Sequence, residues 1–203
     1  MAELADRLTQ RLSDLPPTFT AHQARAGGLS SRDLATLSTA DEIEELSSGV
    51  YRRSDAPPTA HLDLLAVCAR APHAVICGDS ALALHELIDD IPAEVHIAVP
   101  RGSHRPAIAY PPPPTTQYAA RTFGYAIERF EAAPGETIPV YSPARAVVDA
   151  MRLGGAAGRS MALGALNRYL RRYGQAGVAD LQDAAKTLGS LSTIRPAIEA
   201  VLA

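Results

Sequence analysis

The residue types in this chain that can do chemistry gather in a few places. Gly78-Asp79-Ser80 lies between an apolar stretch, residues 74–77, and a helical pattern over 81–88. A turn opening a helix offers backbone N–H groups and the positive end of the helix dipole to a phosphate or another anion. Downstream, Glu94 and His96 alternate along residues 94–99, and alternate positions of a strand share one face. Gly78, Asp79, Ser80, Glu94 and His96 are therefore the candidate nucleotide- or anion-binding set. The same residues also read structurally, with Asp79 or Ser80 capping a helix and Glu94 a solvated strand residue. Magnesium prefers oxygen ligands, so His96 is a poor second ligand. If the chain is a phosphotransferase using ATP and Mg²⁺, its candidate catalytic residues are Asp79, Arg101, Arg145 and Asp149. The sequence holds no phosphate-binding Gly-rich loop ending in Lys-Ser/Thr, and its one lysine, Lys186, falls in a helical segment near the C-terminus. No Gly-x-Ser-x-Gly nucleophile elbow occurs either. Cys68, His73, Cys77 and His85 lack metal-ligand spacing, so no metal is expected and both cysteines read as small core residues.

The second chemical signal is positive charge. Six arginines (Arg145, Arg152, Arg159, Arg168, Arg171 and Arg172) fall within residues 145–172 against one acid, Asp149, a local net charge of +5. They form either a solvated helical face or a surface for DNA phosphates or an acidic partner. Residues 1–57 hold 6 arginines against 9 acids, net −3, whereas residues 58–203 balance 13 bases against 13 acids. Pro57-Pro58 separates the two, which predicts an acidic N-terminal module (1–57) and a neutral C-terminal one (58–203) with a helical tail from about residue 143.

The elements that must position these groups follow from spacing and capping. Leu4, Leu8, Leu12 and Leu15 recur at helical period until Pro16-Pro17. Thr20 can cap a short helix over 21–26, Gly27-Gly28 makes a turn, and Ser30 or Ser31 caps a second short helix to about Leu37. Residues 42–46 and 50–53 flank Ser47-Ser48-Gly49 as a β-hairpin. Together these make a winged helix-turn-helix. Its candidate DNA contacts are Arg25, Ser30, Ser31 and Arg32 around the reader helix and Arg52 and Arg53 on the wing, opposed by Asp33, Asp41, Glu42, Glu44 and Glu45. The second module reads as a helix over 61–70 and strands at 74–77, 94–99, 107–110, 122–130 and 138–141. A helix opened by Ser142-Pro143 runs to about Leu153, and helical pattern continues from Arg159, broken at 174–177, Gly189 and Pro196. Pro111 to Pro114 form a stiff spacer. The fold class is α+β: a winged helix, a small mixed sheet with helices, and a helical tail.

Five segments, FTAHQARAGGLSSRDL from Phe19, SGVYR from Ser48, GDSALALHEL from Gly78, VHIAVPR from Val95 and SPARAVVD from Ser142, resemble the AbiEi-family antitoxins of abortive-infection toxin–antitoxin pairs. The likeness runs from about Phe19 to Leu153. It implies a DNA-binding winged helix that represses its own operon through operator DNA, and a C-terminal domain that counters a nucleotidyltransferase-like toxin. With the N-terminal module at net −3, a lone monomer is expected to bind DNA poorly, and a homodimer on an inverted repeat is one way to restore affinity. Three routes to that countering stay open: repression with an indirect effect, sequestration of the toxin, or its phosphorylation with ATP and Mg²⁺. The Gly-Ser turn followed by a strand with alternate polar residues is itself similar to the nucleotidyltransferase pattern, with His96 where a second acid would stand. With 47% apolar and 20% charged residues, two cysteines, no apolar run near the roughly 20 residues that span a bilayer and no secretory-type start, the chain is expected in the cytoplasm and away from membranes.

Overall fold

A computed structural model describes residues 2–108 and 112–202. The chain divides into two compact units. The first takes the residues up to His73, a short segment from Pro106, and residues 131–138; the remaining described residues form the second.

In the first unit, α1 (Ala2–Ser13) is followed by β1 (Thr18–Thr20), α2 (Ala21–Ala26), α3 (Ser31–Thr39), β2 (Ile43–Ser47), β3 (Val50–Arg53) and α4 (Leu62–Arg70). Both short helices are started by reciprocal capping. The Thr20 hydroxyl accepts from Gln23 N while the Gln23 side chain accepts from Thr20 N, and Ser30 and Asp33 repeat the arrangement. Each such cap contributes about 1 kcal/mol to a helix too short to hold itself. Gly28, at φ +83, turns the chain between them. Leu8, Leu12, Phe19, Ala24, Leu29, Leu34, Leu37 and Ile43 form one core, with Phe19 stacked on Tyr51. The strand over residues 18–20 is three residues long, too short to show a period of its own, and is not legible in the sequence. It pairs antiparallel with β3, giving the order β1-β3-β2 and the three-stranded sheet of a winged helix.

The second unit is built on a five-stranded mixed sheet ordered β6-β5-β4-β8-β7, where β4 is Val75–Ile76, β5 Ile97–Pro100, β6 Thr115–Tyr118, β7 Ile127–Ala133 and β8 Glu136–Tyr141. β4 runs antiparallel to β5 and parallel to β8, and β5 runs parallel to β6. The outer end of the β7–β8 hairpin, turned at Pro134-Gly135, is counted with the first unit. Three helices, α5 (Gly78–Leu84), α6 (Ala120–Phe123) and α7 (Pro143–Leu153), join or cover the strands, and α8 (Gly155–Thr187) and α9 (Leu191–Leu202) complete the unit. Ser142 caps α7 with Pro143 in its first turn, as its sequence predicts.

Several expectations are corrected. Residues 78–80 are not a turn but the first turn of α5, which ends at Leu84 rather than Ile88. The strand expected over 94–99 is confined to Ile97–Pro100, and Ile97, Ala98 and Val99 are all buried because the strand lies between β4 and β6 instead of at a half-wet edge. Of the strand expected over 107–110, Ala107 and Ile108 are irregular and the rest lies outside the described residues. The stretch 122–130 divides into the end of α6, a corner at Ala126 (φ +52) and the start of β7. The tail starts at Gly155 and kinks at Gly174 (φ +56, ψ −141), while Pro196 lies inside α9 without ending it. Among the described residues no helix is long and apolar enough to cross a membrane.

Candidate functional site

Around α3 the structure leaves a polar, low-profile face in solvent. Ser31, Arg32, Ala35, Thr36 and Thr39 are exposed while Leu34 and Leu37 point into the core. Arg32, Ala35, Thr36 and Thr39 follow at spacings of three and four, so they line one stripe, and with Ala40 they border a shallow groove. The Thr36 hydroxyl donates to Arg32 O and the Thr39 hydroxyl to Ala35 O, at 3.0 and 2.8 Å. Their donors are thus spent on the helix, leaving methyl groups as the free end of each side chain. Arg25, at the end of α2, is also exposed.

Other members of the expected DNA set do different work. The Ser30 hydroxyl is engaged with Asp33, whose carboxyl is held below the usual carboxylate range by hydrogen bonds from the Ser30 side chain and backbone. Arg52 is 5% exposed and cannot reach a phosphate. It donates to Thr18 Oγ1 at 2.7 Å, to Glu136 Oε2 at 2.5 Å and to Pro57 O at 2.7 Å. Glu136 completes the arrangement by accepting from Thr18 N at 3.0 Å. The wing arginine of the sequence reading is therefore a strut that ties β3, β1 and β8 together. Arg53 is half-buried, clamped to Asp55 and reaching the Ser13 and Leu15 carbonyls. What stands at the wing turn instead is Arg70 of α4, exposed, whose guanidinium donates to Ser48 O and Ala107 O at 3.0 Å each. Nothing in its local sequence marks it, because the partner carbonyls lie 22 and 37 positions away.

The expected anion cradle is occupied by the protein itself. Ser80 is buried, its hydroxyl accepting from His96 N at 2.9 Å and donating to Glu94 O at 3.3 Å. Gly78 (φ +53) is pressed against the His96 ring, where an added Cβ would stand 2.9 Å from Nδ1. Glu94 and His96 precede β5, so they do not share a strand face. These contacts make the 78–80 segment a lock on the 94–96 loop, and Asp79 is half-buried beside it.

Nor do the four catalytic candidates form an open site. Arg145 is 0% exposed. Its Nη1 donates to the carbonyls of Thr122 at 2.7 Å, Phe123 at 3.3 Å and Tyr125, and its guanidinium carbon sits 3.4 Å from the centre of the Tyr141 ring. Asp149, also buried, pairs with Arg145 Nε at 3.4 Å and Arg152 Nε at 2.7 Å and accepts from the Tyr118 hydroxyl at 2.8 Å. Burial, with the Asp149 charge, raises the Tyr118 phenol far above its ordinary value, keeping it a donor. The cluster closes the corner between α6 and β7 and fixes α7 to it. Arg101 is exposed in the turn after β5. Cys68 and Cys77 are both pushed up to about 12 by burial, so neither is a thiolate nucleophile at neutral pH.

The six-arginine run is likewise not one cationic face. Arg145 and Arg152 share Asp149, Arg168 pairs with Asp89, and Arg172 donates to Glu86 at 2.7 Å and His85 O at 2.7 Å. Glu86 and Asp89, which meet Arg172 and Arg168, lie in the loop after α5, far away in sequence, whereas Asp149 is on α7 beside its two arginines. Arg159 and Arg171 remain on the exposed surface. A cavity of about 550 Å³ opens beside this region, between the Tyr125-Ala126 corner, the start of α7 and the kinked α8. Three carboxylates line it (Glu128, Asp180 and Asp183), and no arginine or lysine does.

No family model and no curated protein matches this sequence. The fold is similar to that in the crystal structure of the RV2827C protein from Mycobacterium tuberculosis, with a TM-score of 0.52 and 15% sequence identity, over 95% of this chain and 79% of that one. At that identity the likeness is one of fold.

Proposed function

We propose that this chain is a DNA-binding regulator of the AbiEi antitoxin kind, which represses its own operon and counteracts a nucleotidyltransferase-like toxin. The observation that carries the DNA-binding half is the winged-helix unit with the exposed Ser31-Arg32 end and the Ala35, Thr36 and Thr39 stripe of α3. Arg at the start of a reader helix suits the N7 and O6 acceptors of guanine, and alanine and threonine methyl groups suit thymine methyls. Arg25 and Arg70 flank that helix and the wing turn as phosphate contacts. Because few cations are available, binding as a homodimer on an inverted repeat gives the affinity that one protomer lacks. The antitoxin half rests on the sequence resemblance in both units.

Binding of the purified chain to its own promoter, measured by fluorescence anisotropy against scrambled DNA, tests the regulator. Specific binding that Arg32→Ala weakens at least about tenfold is the expected result; equal affinity for both DNAs overturns it. Co-expression with the toxin tests the second half through growth rescue. Phosphorylation of the toxin is the less favoured route, since Arg145 and Asp149 are locked in the interior and the 550 Å³ cavity presents carboxylates that repel a triphosphate. An added phosphate mass on toxin incubated with this protein and ATP would reverse that preference.

A further inference from the structure

The same cavity fits a ligand of the opposite sign. Its walls carry Glu128, Asp180 and Asp183 together with Tyr125, Tyr169 and Tyr173, and no arginine or lysine is among the described residues that line it. Tyr169 and Tyr173 lie one helical turn apart with ring centres 4.6 Å from each other, so they present a joined aromatic wall. Tyr169 is 2% exposed and lines the cavity, and no group of the described residues hydrogen-bonds its hydroxyl. The hydroxyl is not sealed in the interior, the one sealed side-chain atom without a partner among the described residues being Arg145 Nη2, so its proton and lone pairs are open to a ligand. Burial raises this phenol above its ordinary value and the nearby Asp180 charge adds to the effect, so it stays a neutral acceptor and donor. The helix is shaped for this wall. Gly174 breaks α8 and Gly177 passes so close that a Cβ there would stand 2.6 Å from Tyr173 Cβ and 2.8 Å from Tyr169 Cε1.

We propose that this cavity is a binding site for a small organic polycation, a linear di- or triamine, held by carboxylates around an aromatic floor. Ammonium groups are attracted to the faces of tyrosine rings and to carboxylates at once, and a methylene spacer lies along the rings. The volume lies in the range of ordinary small-molecule sites. One ammonium donates to the Tyr169 hydroxyl; the others neutralise Asp180 and Asp183 on α8 and Glu128 on β7. Occupancy therefore fastens the distal half of α8 to the hairpin base, within the second unit. The proposal stands independently of DNA binding.

Isothermal titration of the full-length chain with spermidine and with putrescine, in 150 mM NaCl, reads it directly. One saturable site is expected, tighter for spermidine than for putrescine. Asp180→Asn/Asp183→Asn, two exposed positions, should weaken binding at least about tenfold, and Tyr169→Phe, which keeps the ring, several-fold. Asp89→Asn, an acid outside the cavity, should leave it unchanged. No heat of binding up to millimolar polyamine, equal binding by the Asp180/Asp183 variant and the parent, or an equal response to Mg²⁺ at matched ionic strength would each overturn the assignment. Unchanged melting of the ligand-free variants keeps these outcomes interpretable.

Discussion

Two arginines twenty positions apart show how a residue's surroundings decide what it is for. Arg32 stands in solvent on α3, and Arg52 lies under β1 and β8 with its charge met by Glu136. Removing one partner of a buried ion pair strands the other, which costs about 3–5 kcal/mol. Arg52→Ala is therefore expected to lower stability by that amount in urea unfolding, with Arg52→Met/Glu136→Leu recovering much of it. Arg32→Ala should change stability by less than about 0.5 kcal/mol while weakening promoter binding by about 1–3 kcal/mol. Loss of DNA binding in Arg52→Ala alone would report unfolding and not contact. His85 offers a test by pH. Burial lowers its pKa below 6.5, against the hydrogen bond to Tyr141 O and the Glu128 charge, and Arg172 lowers it further. With Nε2 2.8 Å from that carbonyl, the neutral ring donates there. The unfolded chain then binds the proton more readily than the folded one, so stability is full above about 6.5 and drains as pH falls through that value. Thermal melts between pH 5 and 8 should show this loss in the parent and a flatter profile in His85→Gln.

At the scale of elements, what the sequence makes legible is what is decided locally. The Thr20–Gln23 and Ser30–Asp33 pairs start α2 and α3, Ser142-Pro143 starts α7, and Gly49 (φ +72) turns the β2–β3 hairpin, each within a few positions. The elements that escape reading are those whose warrant is distant. β1 is three residues long and exists because β3 lies beside it. β6 reads TTQY and is a strand only against β5. Of the candidate site, the reader-helix residues are legible and the roles of Arg52, Arg70, Arg145 and Ser80 are not, since each is set by partners 14 or more positions away. Gly177 tests an element directly. Gly177→Ala puts a methyl where Tyr169 and Tyr173 already stand, and overpacking of that kind costs about 1–3 kcal/mol. A lowered melting temperature with reduced helical signal is expected; an unchanged one would show that the kink at Gly174 adjusts freely.

For the whole molecule, net charge is −3 and the run of arginines at 145–172 is largely neutralised by its neighbours. In the first unit, Arg7, Arg25, Arg32 and Arg70 remain exposed, while Arg11 is half-buried on the Gly28 carbonyl and Arg52 and Arg53 are taken by internal partners. The dependence of log K on log salt for promoter binding should then be no steeper than about −3.6 per protomer. A steeper slope would bring Arg159 and Arg171 of the second unit into the complex. The first unit also draws on residues 131–138, which supply the carboxylate of Glu136 to Arg52 and the Ala132 carbonyl to the Thr59 hydroxyl. A protein emerging from the ribosome delivers Arg52 first and waits for Glu136, some 84 positions later. At about 5–20 residues per second that interval lasts roughly 4–17 s. During it the nascent wing carries an uncompensated cation with no native place to bury it. A gene truncated after Pro57 never ends the wait, and its product is expected to be prone to proteolysis rather than a free-standing reader.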